Sequence, residues 1–261
     1  MLNEQAECRQ GAAGGAFSKA LIPNHIGIIM DGNGRWAKSK NLDRIEGHRK
    51  GIDTVREITT ACRKLGVKHL TLYAFSEENW KRPTLEVTGL MSLLKIFLQS
   101  ETSLMMDEGI RLRTIGNTSK LPLIERTILE QTMKLTNKNT GMDLILALSY
   151  GGREELVRAM QKIAVKIERE EIESKDVTAE MISKHLDTHD IPDPELIIRT
   201  SGEFRTSNFL PWQSIYSEYV VTETLWPDFG VDELKSIIDQ FNKRERRFGL
   251  TGDQVKQQDV A

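Results

Sequence analysis

The stretch HIGIIMDGNGRWAKSK, residues 25–40, decides how the chain is read. The apolar run Ile26 to Met30 stops abruptly at Asp31-Gly32-Asn33-Gly34-Arg35. A short continuous apolar run is the mark of a strand covered on both faces. The glycines let the backbone turn sharply and approach a ligand, and a helix starting there points free N–H groups at it. Such a turn is an anion site, to which Arg35 adds a bidentate contact while Asp31 can hold a Mg²⁺ that bridges to a diphosphate. Taken alone, the segment also reads as a tight strand-to-helix turn capped by Asp31.

Working outward, strands are predicted over 25–30, 69–75, 110–116, 143–150, 196–200 and 218–223. Apolar residues at helical spacing cover 48–65, 85–107, 121–138, 153–173, 178–187 and 231–247. Strands alternating with helices imply an α/β fold, a mostly parallel six-stranded sheet flanked by helices. No repeat or long Pro/Gly linker divides the chain after residue 21, so a single domain is expected, preceded by a flexible tail over 1–21. The polar motifs follow strands, and ligands of open parallel sheets bind outside the strands' carboxyl ends. Motifs far apart in sequence therefore converge on one rim.

Hydrophobic residues form 39% and charged residues 28% of the 261, as in a globular protein rather than a disordered one. A formal net charge of −2 gives no whole-molecule case for nucleic acid. Cys8 and Cys62 are the two cysteines, too few for a disulfide framework or a cysteine zinc site, and a reducing cytoplasm fits. No apolar run approaches the roughly 20 residues that span a bilayer. Glu4 and Glu7 in the opening segment argue against a secretory signal.

Neither G-x-x-x-x-G-K-[ST] nor G-x-G-x-x-G occurs, so nucleotide readings lose support. Arg44 and His48, in DRIEGHRKG, can reach the anion held by DGNGR, although a histidine there is more often a polar surface residue. SEENWKRP offers Ser76 and Asn79 as neutral hydrogen-bonding groups, Trp80 as an apolar plate and Arg82 as a cation, or else a capped turn stopped by Pro83. RTSGEFRTSNFLPWQ places Arg199 and Arg205 around a glycine turn with Ser207 nearby, suited to a second phosphate group. Two cation clusters imply two phosphorylated substrates. His185 and His189 lack an H-E-x-x-H context for zinc, and KRERR, Lys243 to Arg247, reads as a solvated face. Helix 85–107 has more apolar residues than one face needs, which suits core packing or the wall of an apolar cleft.

From Ile22 to Gly249 the chain resembles the cis-prenyltransferase family, above all the bacterial undecaprenyl diphosphate synthases. The likeness rests on HIGIIMDGNGRWAK, GHRKG, TLYAFSEENWKRP, SYGGREE, LIIRTSGEFRTSNFLPWQ and ETLWPDF in that order. It leaves 1–21 and 250–261 as tails. It implies a homodimer with an elongated apolar tunnel, transient contact with a membrane surface for product release, and Mg²⁺-dependent addition of isopentenyl diphosphate with cis geometry to an allylic diphosphate such as farnesyl diphosphate. Carried onto this chain, it implies Asp31 and Glu218 as Mg²⁺ ligands, Glu218 near the dimer contact. It implies Gly32, Asn33, Gly34, Arg35, Trp36, Arg44 and His48 at the allylic diphosphate, and Arg199, Arg205, Thr206 and Ser207, with Arg82, at isopentenyl diphosphate. Ser76, Glu77, Glu78 and Trp80 join the substrate site. Asn79 matches a residue proposed to aid proton removal, for which a neutral amide is a poor base and an orienting role is better suited. Leu144 matches a bulky position at the tunnel floor.

There are two departures from the family pattern. Ser149 stands where an Asn is usual, and Phe204 where some members have a metal-approaching His. A catalytically silent member serving a partner subunit would have a broken DGNGR or a lost arginine pair, and both are intact. A member making another chain length shares every motif named here.

Overall fold

The computed structural model describes residues 22–244. Strands β1 (His25–Ile29), β2 (His69–Ser76), β3 (Ile110–Ile115), β4 (Met142–Tyr150), β5 (Leu196–Arg199) and β6 (Glu218–Val221) occupy the six expected segments. They form one sheet in the order β3-β4-β2-β1-β5-β6, with every neighbouring pair parallel. All nine residues of β4 are buried, as helices on both faces require. The period of two divides the apolar residues between two cores: Ile26, Ile28, Leu70, Leu72, Leu144 and Leu146 in the larger, Ile29, Ile145, Ala147 and Ile197 in the smaller.

The helices are α1 (Asn33–Ser39), α2 (Arg44–Leu65), α3 (Thr84–Asp107), α4 (Leu123–Thr136), α5 (Gly152–Glu168), α6 (Ala179–Ser183) and α7 (Val231–Asn242). α2, α3, α4 and α7 supply the larger core with Ile58, Leu98, Leu129 and Ile237. The helix predicted over 153–173 stops at Glu168, and Glu170 then turns left-handed with φ 56°. The one predicted over 178–187 shrinks to five residues capped by the Thr178 side chain. Residues 1–21 and 245–261, including both predicted tails and most of KRERR, lie outside the described residues.

Two features of this architecture position the site. Gly47 and Gly51 lie four apart on α2, and a Cβ there would stand 2.0 Å from the Asn33 carbonyl oxygen and 2.5 Å from its side-chain oxygen. GHRKG is thus the seat on which the turn after β1 rests. Also, the chain leaves β1 toward β2 on one side and reaches β5 on the other, which makes β1/β5 the switch point where an open parallel sheet forms its crevice.

Candidate active site

Asp31 follows β1 and Arg199 ends β5, so the crevice brings together a carboxylate and a guanidinium 168 residues apart. Arg199 Nη2 donates to Asp31 Oδ2 at 2.8 Å, while its Nη1 donates to Ser207 Oγ at 2.7 Å and to the Arg205 carbonyl. Arg199 is 5% exposed, and its Nε has no hydrogen-bond partner. The Asp31 carbonyl is fixed by Thr200 Oγ1 at 2.7 Å and the Trp226 N–H at 3.0 Å. Burial raises the Asp31 pKa, but the Arg199 hydrogen bond, the Gly32 N–H and the Arg199 and Arg35 charges outweigh it and hold the carboxyl below its ordinary value. Asp31 is therefore ionised at neutral pH.

Gly32 takes φ 105° ahead of α1, a conformation suited to glycine, and lies against Leu225. Arg35 projects toward the β5–β6 loop, donating to the Ser201 hydroxyl and carbonyl, with Glu203 at 3.6 Å and Asp31 at 3.7 Å. Arg44 lies over Gly34 and pairs with Glu86 at 3.1 Å, and Arg82 pairs with the same carboxylate at 2.9 Å.

Beneath these groups opens a cavity of about 710 Å³, lined on its polar side by Asp31, Asn33, His48, Ser76, Glu78, Asn79, Arg82, Arg199, Arg205, Ser207 and Asn208. Its apolar wall is built by α3 through Leu90, Met91, Leu93, Leu94 and Phe97, facing Leu146 and Leu148 of β4. The crowding of apolar residues on α3 thus serves both the core and the cavity.

The surface reading of His48 fails. It lines the cavity with Nε2 buried and unpartnered, and burial, then the Arg82 and Arg44 charges, lower its pKa to about 4. Asn79 is held by a capping box with Ser76, its Oδ1 accepting the Ser76 N–H at 3.1 Å. Its oxygen is thus engaged, leaving the amide NH₂, a donor, as the group it can offer to the cavity. SEENWKRP is thus a capped turn, and it carries Ser76, Asn79 and Arg82 to the cavity lining.

A family model described as "Putative undecaprenyl diphosphate synthase" matches residues 29–249. The chain belongs to the undecaprenyl diphosphate synthase family and is a cis-prenyltransferase. It is 45% identical to an isoprenyl transferase of Chlorobaculum tepidum, over 93% of this chain and 92% of the relative. With an isoprenyl transferase of Bacillus cereus it shares 49% over 88% and 90%. Among solved structures it is similar to lavandulyl diphosphate synthase from Lavandula x intermedia in complex with dimethylallyl diphosphate. That match has a TM-score of 0.86 and 38% identity, covering 87% of this chain and 98% of that one. A probable undecaprenyl diphosphate synthase from Campylobacter jejuni gives 0.73 and 31% over the same shares.

In this cis-prenyltransferase, some expected site residues stand apart from the cavity. Glu218 is the most distant within the chain: it begins β6 level with Leu196, which is level with Ile26, five residues short of Asp31 along the strand course. At about 3.3 Å per residue and about 4.8 Å per strand, the Cα atoms of Asp31 and Glu218 lie roughly 19 Å apart within one chain, and Glu218 pairs with Arg244 at 2.6 Å. Trp36 donates to Asp228 at 2.8 Å outside the cavity lining. Glu77 accepts from Ser149 Oγ at 2.9 Å and pairs with Lys120 in a separate polar pocket. Trp80 donates to the same Ser149 hydroxyl at 2.8 Å and meets Phe75 edge-on. Thr206 is exposed and Phe204 is 84% exposed, neither lining the cavity. Leu144 is fully buried, yet the lining stops one pleat above it at Leu146.

Sequence reasoning missed the carboxylates that hold the arginines. Glu86, 15% exposed in its side chain, grips Arg44 and Arg82, and Glu203 faces Arg35 and Arg205. Their signal was present as Arg82/Glu86 at helical i, i+4 spacing and Glu203 two residues before Arg205. No helix among the described residues is long and apolar enough to cross a membrane.

Proposed function

We propose that this cis-prenyltransferase adds isopentenyl diphosphate units to an allylic diphosphate, farnesyl diphosphate in the first instance. The product is undecaprenyl diphosphate, a lipid carrier for cell-wall glycans, made in the cytoplasm. The observation that carries the reading is the Asp31–Arg199 contact at the mouth of the apolar cavity. It puts the groups suited to two diphosphates side by side above a space suited to a growing hydrocarbon.

Arg35, Arg44 and His48 bind the allylic diphosphate, and the α1 start adds first-turn amides that have no acceptor in the helix. Arg199, Arg205 and Ser207 orient isopentenyl diphosphate, with Arg82 in support. As the allylic C–O bond breaks, positive charge develops on carbon and negative charge on the leaving diphosphate, which the arginines stabilise in place. The apolar wall keeps water from the cation until the isopentenyl double bond attacks it. The proton then lost from the new chain goes to released diphosphate, while the Asn79 amide orients the groups involved.

Mg²⁺ fits this site. Both Asp31 oxygens keep a lone pair beyond their bonds to Gly32 and Arg199, and the carboxyl is ionised. Among the described residues no three or more His, Cys, Asp or Glu gather around one point, so one protein carboxylate plus diphosphate oxygens and water would complete the coordination. When bound, Mg²⁺ neutralises charge on the leaving diphosphate. A homodimer through edge strand β6, preceded by the exposed Ile215 and Tyr216, is the arrangement that would give Glu218 a role at a partner's metal.

Incubation with farnesyl diphosphate and radiolabelled isopentenyl diphosphate, followed by mass analysis of the dephosphorylated product, tests the reading. An undecaprenyl product is expected, and no incorporation would overturn it. Leu146→Ala should lengthen the product more than Leu144→Ala, because Leu146 forms the cavity's inner wall and Leu144 lies behind it.

A further inference from the structure

Between β5 and β6 the backbone is unusually contorted. Ser201, Ser207, Asn208 and Leu210 have φ of 78°, 49°, 64° and 49°, in the left-handed region that non-glycine residues seldom enter. A loop in that shape needs ties from outside itself, and Asn208 provides four. Its Nδ2 donates to Glu78 Oε1 and to Glu154 Oε2, both at 3.1 Å. Its Oδ1 accepts the Arg153 N–H at 2.9 Å, and its carbonyl accepts the Gly152 N–H at 2.8 Å.

These four bonds join three segments of the rim that are remote in sequence: the loop carrying Arg205 and Ser207, the 3-10 turn Glu77–Lys81 carrying Asn79, and the start of α5. They also explain SYGGREE, a motif the proposed chemistry does not use. A Cβ on Gly151 would lie 2.2 Å from the Glu154 carboxylate and 2.7 Å from Asn208 Nδ2, and one on Gly152 would lie 2.0 Å from the Pro211 ring. The two glycines let the loop dock.

We propose that Asn208 is a positioning residue for isopentenyl diphosphate, its single amide bridging the Glu78 and Glu154 carboxylates so that Arg205, Ser207 and Asn79 face the cavity together. This rests on the two-substrate reading above. Without the bridging donor, two carboxylates face each other with no hydrogen between them, and the turn and the loop separate. The charged groups around the amide are Glu78, Glu154 and Lys81, with the Tyr73 hydroxyl and Arg199 beyond it.

Two variants separate the tie from the backbone shape. Asn208→Gly keeps a residue at ease with positive φ but removes the side chain. It should still fold, with a melting temperature lowered by a few degrees, and raise the isopentenyl diphosphate KM about tenfold, leaving farnesyl diphosphate affinity unchanged. Asn208→Asp keeps the shape and sets a third carboxylate between two. Its KM defect should shrink, relative to the parent at each pH, as acid supplies the shared proton that restores a donor. An unchanged KM in Asn208→Gly, or an Asn208→Asp defect independent of pH, overturns the assignment. Arg205→Ala measured alongside shows which idea has failed. If it raises both substrates' KM equally, the two-site reading falls and takes this one with it, whereas a selective Arg205→Ala effect with a silent Asn208→Gly removes Asn208 alone.

Discussion

The two ends of the sheet carry similar residues to opposite effect. At the amino end, His25, His69, Asp143 and Arg111 form one row across β1, β2, β4 and β3. Asp143 accepts both arms of Arg111 at 2.6 and 2.7 Å and Arg113 at 3.3 Å, with His69 Nδ1 also at 3.3 Å. At the carboxyl end, Asp31, Arg199 and His48 face a cavity, and Arg199 Nε, His48 Nε2 and the Asn33 side-chain oxygen are buried without partners. Charge clusters alone do not mark a site. His69 Nδ1, 3.3 Å from Asp143 at the amino end, also lacks a hydrogen-bond partner, so what distinguishes the carboxyl end is that its unused hydrogen-bonding capacity faces a cavity.

Substitutions at the two ends should fail differently. Asp31→Ala should keep much of its farnesyl diphosphate affinity, since Arg35, Arg44 and His48 remain, but lose at least about 4 kcal/mol of transition-state stabilisation, roughly a thousandfold in kcat. Asp31→Asn should fail nearly as badly. Direct binding beside steady-state kinetics across a Mg²⁺ titration decides this, and a near-normal kcat would leave Asp31 a turn cap. At the other end, Asp143→Ala should cost about 2–4 kcal/mol of stability in urea unfolding, by leaving Arg111 and Arg113 without their shared carboxylate. Its kcat per folded molecule should not change, and a large loss would mean that the row communicates with the cavity.

Arg205→Ala should raise the isopentenyl diphosphate KM more than the allylic one, through loss of a charge-assisted contact of about 1.5–3 kcal/mol. It is a cleaner probe than Arg199→Ala, which also removes the shorter of Asp31's two ion pairs. The smallest effects concern two histidines, His25 buried and His48 partly buried. Burial lowers the His25 pKa from 6.5 to about 4, partly offset by its bond to the Pro192 carbonyl. The unfolded chain binds that proton more readily, so stability is whole above pH 6.5 and falls as pH drops toward 4, by at most about 1.4 kcal/mol per unit. Urea unfolding at pH 7 and pH 5 reads it. His48 has a similarly lowered pKa, but a bound diphosphate gives its proton a counter-charge, so allylic diphosphate binding should tighten a few-fold over the same pH drop. His48→Gln should flatten that dependence.

The strands were legible because a strand covered on both faces must be apolar almost throughout, a signal that survives ignorance of its neighbours. Helix ends were less so: Glu168 ends α5 through a left-handed turn at Glu170 that an apolar pattern does not encode. Asp31, Arg199 and Ser207 were legible as local motifs. Their direct contact was not, because only the strand order brings 31 and 199 together. The same limit hid Asn208, whose ties reach residues 54 and 130 positions away.

The five rim arginines already have anions. Arg35 and Arg205 face Glu203, Arg44 and Arg82 share Glu86, and Arg199 holds Asp31. A diphosphate entering here exchanges one anion for another, as on an ion-exchange resin, rather than neutralising bare charge. Such exchange moderates affinity and its dependence on salt. It would also give departing diphosphate a waiting replacement, so an enzyme working as proposed above, shedding one diphosphate for every unit added, would not be left clogged by its own by-product.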